Sequence, residues 1–210
     1  MTSHHRARKA ITAAAFTVLI VLTAACSNAN NHPLGPPNPS GGTPFPGGPM
    51  EPIPIARNPK IPTSQQEAQN TVLKYLQDTL NTLPPGSTLD GTRYSRGRVI
   101  ECDDNDTSPD APIHFEDLRD MTLPAGTDFN AIIHQVGELW KSWGWQVLER
   151  NGFDKPNRFG YAPDGYSLDI QARVQSDYAP TMSGGSPCFS GALQDKNSLD
   201  GPAVITQTTG

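Results

Sequence analysis

Residues 166–174 alternate between apolar and polar. Tyr166, Leu168, Ile170, Ala172 and Val174 take one side, and Ser167, Asp169, Gln171 and Arg173 fall between them. Such a strand buries one face and leaves the other polar, as in an antiparallel sheet covered on a single side. The segment ahead of it, Ala162-Pro163-Asp164-Gly165, is hairpin chemistry: proline sets φ and Asp-Gly takes the left-handed turn. A one-sided sheet needs a cover, and the rest of the chain has to supply it.

Two segments have the period for that cover. Ser64 and Glu67 stand at capping-box spacing, and Ala68, Val72, Tyr75, Leu76, Leu80 and Leu83 follow at three- and four-residue steps before Pro84-Pro85-Gly86. The second stripe is stronger. Thr127 or Asp128 caps it, Phe129, Ile132, Ile133, Val136, Leu139, Trp140 and Trp143 form it, and Gly144 provides the exit. Strand-compatible runs lie at 93–102, 114–123, 145–149 and 158–161, with a last irregular edge strand through Thr181 and Met182 towards Cys188. Helix, two strands, helix and three or four strands make an α+β fold. The expected form is a two-layer sandwich over residues 64–192, with both helices on one face of a mostly antiparallel sheet. Residues 193–210 carry no periodicity and are expected to form a flexible tail.

The chain's 21 prolines and 19 glycines are unevenly placed. Residues 27–62 are dominated by Asn, Pro and Gly, as in Leu34-Gly35-Pro36-Pro37-Asn38-Pro39, and have no apolar periodicity to offset ordering entropy. Residues 26–63 therefore read as a disordered tether. A Pro-rich chain of that length reaches tens of ångströms at about 3 Å per residue. Apolar residues return at Ile53, Ile55 and Ile61, so the last part is expected to lie along the domain.

Residues 1–25 read as a secretory signal peptide. Arg6, Arg8 and Lys9 form a cationic head, and an uncharged run from Ala10 to Ala25 follows. It closes on Leu22-Thr23-Ala24-Ala25-Cys26, which resembles a bacterial lipobox, with Thr23 in the place usually held by an aliphatic residue. That resemblance implies lipidation of Cys26 and a mature protein on the extracytoplasmic face of the cell membrane. Several acyl chains on one residue, at roughly 0.8 kcal/mol per buried methylene, are enough for stable anchoring. Removal of 1–25 takes the formal charge from -5 to -8, a balance that argues against nucleic acid as a partner.

If Cys26 carries lipid, Cys102 and Cys188 remain. In an exported domain two remaining cysteines most simply form a disulfide. Metal binding is the competing reading. It lacks a C-x-x-C and a histidine at ligand spacing in the chain.

The run from Met121 to Gly144-Trp145, the segment Gly165-Tyr166-Ser167-Leu168, and Gly185-Ser186-Pro187-Cys188-Phe189 together resemble small mycobacterial cell-envelope lipoproteins of the LppA type. The likeness covers roughly residues 64–192; the long Pro/Gly tether departs from it. It implies the same sandwich and the Cys102–Cys188 pairing, and it implies no activity.

The residues offer little catalysis. There is no Gly-x-Ser-x-Gly elbow, phosphate loop or dinucleotide fingerprint. Between Asp103 and His114 the acidic loop lacks the glycine and glutamate of an EF-hand, having Ser108 and His114 in those places. His114, in a strand, and His134, between the apolar positions of the second helix, are the domain's histidines. The carboxylates Glu116 and Asp117 are sequence neighbours with no local cause for raised pKa values. Trp140, Trp143 and Trp145 are candidates to line a ligand pocket, although aromatic residues on an apolar stripe are mostly core. The expected function is a non-enzymatic interaction or structural module of the cell envelope, without cofactor or metal. It would be anchored through Cys26, with an envelope protein or lipid as partner. The alternatives are a carrier of lipid or another small apolar ligand, and an enzyme accessory.

Overall fold

A computed structural model describes residues 51–195 and 201–208. The expected signal peptide, Cys26 and most of the expected tether lie outside the described residues. Among those described, eight strands form one sheet: β1 (Thr88–Asp90), β2 (Arg98–Glu101), β3 (Ile113–Thr122), β4 (Gln146–Leu148), β5 (Asn157–Tyr161), β6 (Ser167–Gln171), β7 (Thr181–Gly185) and β8 (Val204–Thr206). The order is β4-β5-β6-β7-β3-β1-β8, with every pairing antiparallel. The ten-residue β3 organises the sheet. Its first half pairs β2, its second half pairs β1, and its other edge pairs β7.

Two helices cover one face, giving the expected α+β layers. Helix α1 (Gln65–Leu80) starts at Ser64, whose hydroxyl accepts the Glu67 N–H at 3.1 Å. The Glu67 carboxylate reaches back one residue further than a capping box requires, accepting the N–H and hydroxyl of Thr63 at 2.8 and 2.6 Å. Helix α2 (Phe129–Ser142) is capped by Asp128, which accepts the Ala131 N–H at 3.1 Å, and it leaves through Gly144 at φ +80°. Val72, Leu76 and Leu80 of α1 and Ile132, Ile133, Val136 and Trp140 of α2 are buried with Phe115, Met121, Leu168, Ile170 and Met182 of the sheet. Each such side chain contributes roughly 1.5–3 kcal/mol by leaving water. Gly184 on β7 lets α1 come close. A Cβ there would meet Leu168 at 2.7 Å and Val72 at 2.8 Å.

Several expectations need correction. Within the stretch expected to be a loose tail, residues 204–206 form β8 on the edge of β1, and Ile205 is buried. Three residues are too short to show alternation, which hid both β8 and β1. The strand expected over 93–102 begins only at Arg98, because Ser95 and Arg96 take positive φ in the turn before it. Strand β7 lies between β6 and β3 rather than at an edge. The alternating strand ends at Gln171, and Val174 is 80% exposed. The stretch before Ser64 lies along the domain, as its returning apolar residues led us to expect. The N–H groups of Asn58 and Lys60 donate to the Pro163 and Asp164 carbonyls, both at 2.8 Å, clipping this stretch onto the 162–165 turn.

Candidate functional site

The face of the sheet turned away from the helices was expected to be the wet one. Its register brings together His114, Glu116, Leu118 and Asp120 of β3, Arg98 and Ile100 of β2, Ser183 of β7, Asp169 of β6 and Phe159 of β5. His114, Glu116, Asp169 and Ser183 are all buried, a correction to the expected solvent-facing polar side. Arg98 Nε donates to Glu116 Oε2 at 2.6 Å. The Asp169 carboxylate accepts the Ser183 hydroxyl and, at 2.5 Å, the Gln171 amide. Asp120 accepts from Tyr94 Oη at 2.9 Å and pairs with Arg173. Arg150 lies over the rings of Phe153 and Phe159 and donates to Tyr161 Oη at 2.8 Å and the Glu51 carbonyl at 3.3 Å.

Burial raises the Asp169 and Glu116 carboxyls above the usual range, opposed at Asp169 by Gln171 and Ser183 and at Glu116 by Arg98. Asp117 points to the helix-covered face, so Glu116 and Asp117 are neighbours in sequence only. Its carboxylate pairs with Arg119 at 2.8 Å, both side chains being fully buried, and Arg119 Nη1 also donates to the Pro202 carbonyl at 2.9 Å. Burial raises Asp117 as well, against the pull of Arg119. The cause missing from the sequence was burial, which neither residue's local context announces.

At one end of the polar face lie the two cysteines. Cys102 follows β2 and Cys188 follows β7; they form a disulfide with 6.4 Å between Cα atoms, joining positions 86 residues apart. Backbone hydrogen bonds frame it. Cys102 N–H donates to the Pro112 carbonyl at 2.8 Å, and Ile113 and Phe189 exchange N–H···O bonds of 2.9 and 2.8 Å. His114 Nδ1 is 3.6 Å from Cys102 Sγ. Its Nε2 has no hydrogen-bond partner among the described residues. Burial, helped by the Arg98 charge, lowers the imidazole pKa to about 4, so the ring is neutral near pH 7.

A histidine therefore does accompany the cysteine pair, though not at ligand spacing in the chain. The pairing of β2 with β3 sets Glu101 against Ile113 and so brings His114 beside Cys102. Two expected strands, the one ending at Cys102 and the one opening at His114, contained that signal. A neutral imidazole against sulfur can hydrogen-bond a thiolate, or ligate a metal ion together with two thiolates.

The tryptophans belong to the core. Trp140 and Trp145 are buried and Trp143 is half-buried. Trp145 stacks on Trp140 at 6.1 Å between centroids and meets Tyr75 edge-on at 4.9 Å and Trp143 at 5.4 Å. Trp140 Nε1 donates to Thr79 Oγ1 at 3.0 Å. Two surface concavities take their walls elsewhere. One, with about 40 Å³ open to water, runs between Ile53–Arg57 and the rim formed by Tyr161, Tyr166 and Cys188. The other is an open groove of about 440 Å³ between Asp128 at the start of α2 and Arg173, Val174 and Tyr178. His134 is exposed, with Nδ1 2.6 Å from Arg158 Nη2, and shares no site with His114. The acidic loop turns on itself: Asp103 accepts the Asn105 N–H at 2.9 Å and Asp106 that of Ser108 at 3.0 Å.

Comparison with protein-family models, curated proteins and solved structures finds no match to this chain. No helix among the described residues is long and apolar enough to cross a membrane.

Proposed function

We propose that this protein is a membrane-anchored extracytoplasmic lipoprotein that presents a small disulfide-closed α+β domain as an interaction or structural module of the cell envelope. The reading is supported most directly by how the cysteines divide. Cys102 and Cys188 close on one another. A sulfur forms a single disulfide, so Cys26 stands outside the pair, directly after a cationic head, an apolar run and two alanines. Acyl chains on Cys26 hold the protein to the membrane, with the Pro/Gly-rich residues 26–63 as its tether. The tryptophans stabilise the core, and the domain acts through its surface, with an envelope protein or lipid as partner. The resemblance to LppA-type lipoproteins agrees with this placement.

The test is detergent phase partitioning of the chain made in a bacterial host. The native chain goes to the detergent phase and to membranes. Cys26→Ser in a chain still cleaved after Ala25 goes to the aqueous phase. Aqueous partitioning of the native chain would overturn the anchor.

A further inference from the structure

We infer that Cys102, Cys188 and His114 form a redox-gated site for a thiophilic cation such as Zn²⁺, closed to metal while the disulfide stands and opened by its reduction. The ligand atoms of the three side chains all lie within 4.8 Å of one another. His114 is 6% exposed, and its one polar contact among the described residues is the Cys102 sulfur. A buried imidazole is ordinarily fixed by a hydrogen bond to oxygen. Here the sulfur takes that place, which fits a ligand set better than a packing accident.

The S–S bond is not the frame's one support. The Cys102–Pro112 hydrogen bond and the paired bonds between Ile113 and Phe189 hold the three segments in place. The Cα separation of 6.4 Å suits two thiolates on one tetrahedral ion, which at Zn–S distances of about 2.3 Å stand roughly 3.8 Å apart. Small rotations about the Cys side chains reach that spacing. Two sulfurs and one nitrogen leave a fourth position for water or an outside ligand. Soft sulfur donors select Zn²⁺ or Cu⁺ over Mg²⁺ or Ca²⁺.

A low-molecular-weight thiol supplies the two electrons. One thiolate of the reductant attacks a protein sulfur and the Cys102–Cys188 bond breaks, leaving a mixed disulfide and a protein thiolate. A second thiolate of the reductant attacks the reductant sulfur of that mixed disulfide and displaces the remaining protein sulfur; after protonation this leaves two protein thiols and one disulfide of the reductant. Zn²⁺ then takes both sulfurs as thiolates, and their two protons pass to solvent.

The test uses the full chain carrying Cys26→Ser in detergent, so that Cys102 and Cys188 are the remaining cysteines. Oxidised and thiol-reduced samples, freed of reductant, are titrated with Zn²⁺. Bound metal, proton release and alkylation of the thiols are followed, with near-UV circular dichroism as the measure of folding. The reduced chain takes up one Zn²⁺, releases protons and resists alkylation; the oxidised chain does none of these. His114→Gln keeps both thiols and weakens binding by at least the roughly tenfold that follows loss of a ligand's supporting partner. If the reduced chain loses its near-UV signal, Zn²⁺ restores it in the native sequence and not in His114→Gln. No uptake by the reduced chain, or uptake indifferent to His114→Gln, overturns the site.

Discussion

The indole N–H of Trp140 donates to the hydroxyl of Thr79 across 3.0 Å, tying the last turn of α1 to the last turn of α2. Both residues are fully buried. Thr79 in turn donates to the Tyr75 carbonyl at 2.9 Å, so the hydroxyl both accepts and donates. Replacing Thr79 by Val keeps the shape and strands the indole N–H in a dry place. The loss should be about 1–3 kcal/mol, read as a lower urea midpoint at unchanged m-value. An unchanged midpoint would show that the bond adds nothing to the helix–helix contact.

The buried Asp117–Arg119 pair gives a second prediction. Arg119 also reaches the Pro202 carbonyl, so it joins β3 to the segment leading into β8. Arg119→Met leaves the Asp117 carboxylate buried without its cation, which should destabilise by about 3–5 kcal/mol. The double change Asp117→Leu, Arg119→Met should recover most of that loss in the same denaturation assay, because no charge is left behind. A double variant as weak as the single would place the effect in packing instead.

The disulfide closes a long loop. In the chain-entropy description, joining positions 86 apart stabilises by roughly 4–5 kcal/mol. Cys102→Ala with Cys188→Ala should lower thermal stability accordingly, without added metal. A thiol reductant should lower the native chain to about the same level and leave the double variant unmoved.

His114 should show in the pH dependence. Its pKa is about 4 in the fold against 6.5 for the free group, so the depressed value favours the folded state above pH 6.5. That contribution, about 3 kcal/mol, is lost as the pH falls from 6.5 through 4. The raised carboxyls of Asp169, Glu116 and Asp117 act in the opposite sense, losing stability as pH rises through their folded values. The comparison is therefore between the native chain and His114→Gln. Between pH 6.5 and 4 the native chain should lose more stability than the variant. Parallel curves would mean that the imidazole titrates normally.

Long periodic elements were legible in the amino-acid sequence, and short or non-local ones were not. Ser64, Asp128 and Gly144 bound their helices as their residue types require. The alternation from Tyr166 showed which side of β6 meets the helices. It could not show that Asp169 is buried too, because that depends on Ser183 and Phe159 from other strands. Strands β1 and β8, three residues each, have too few positions for a pattern and exist because β3 offers them an edge. The approach of His114 to Cys102 is a product of register, a relation between two strands that neither contains alone.

The mass of the mature chain isolated from its own membranes reports the fate of all three sulfurs. The expected result is an N-terminal Cys26 carrying a diacylglyceryl group, and a Cys102–Cys188 linked peptide pair in a non-reducing digest. A chain that begins elsewhere, with Cys26 unmodified, would contradict it.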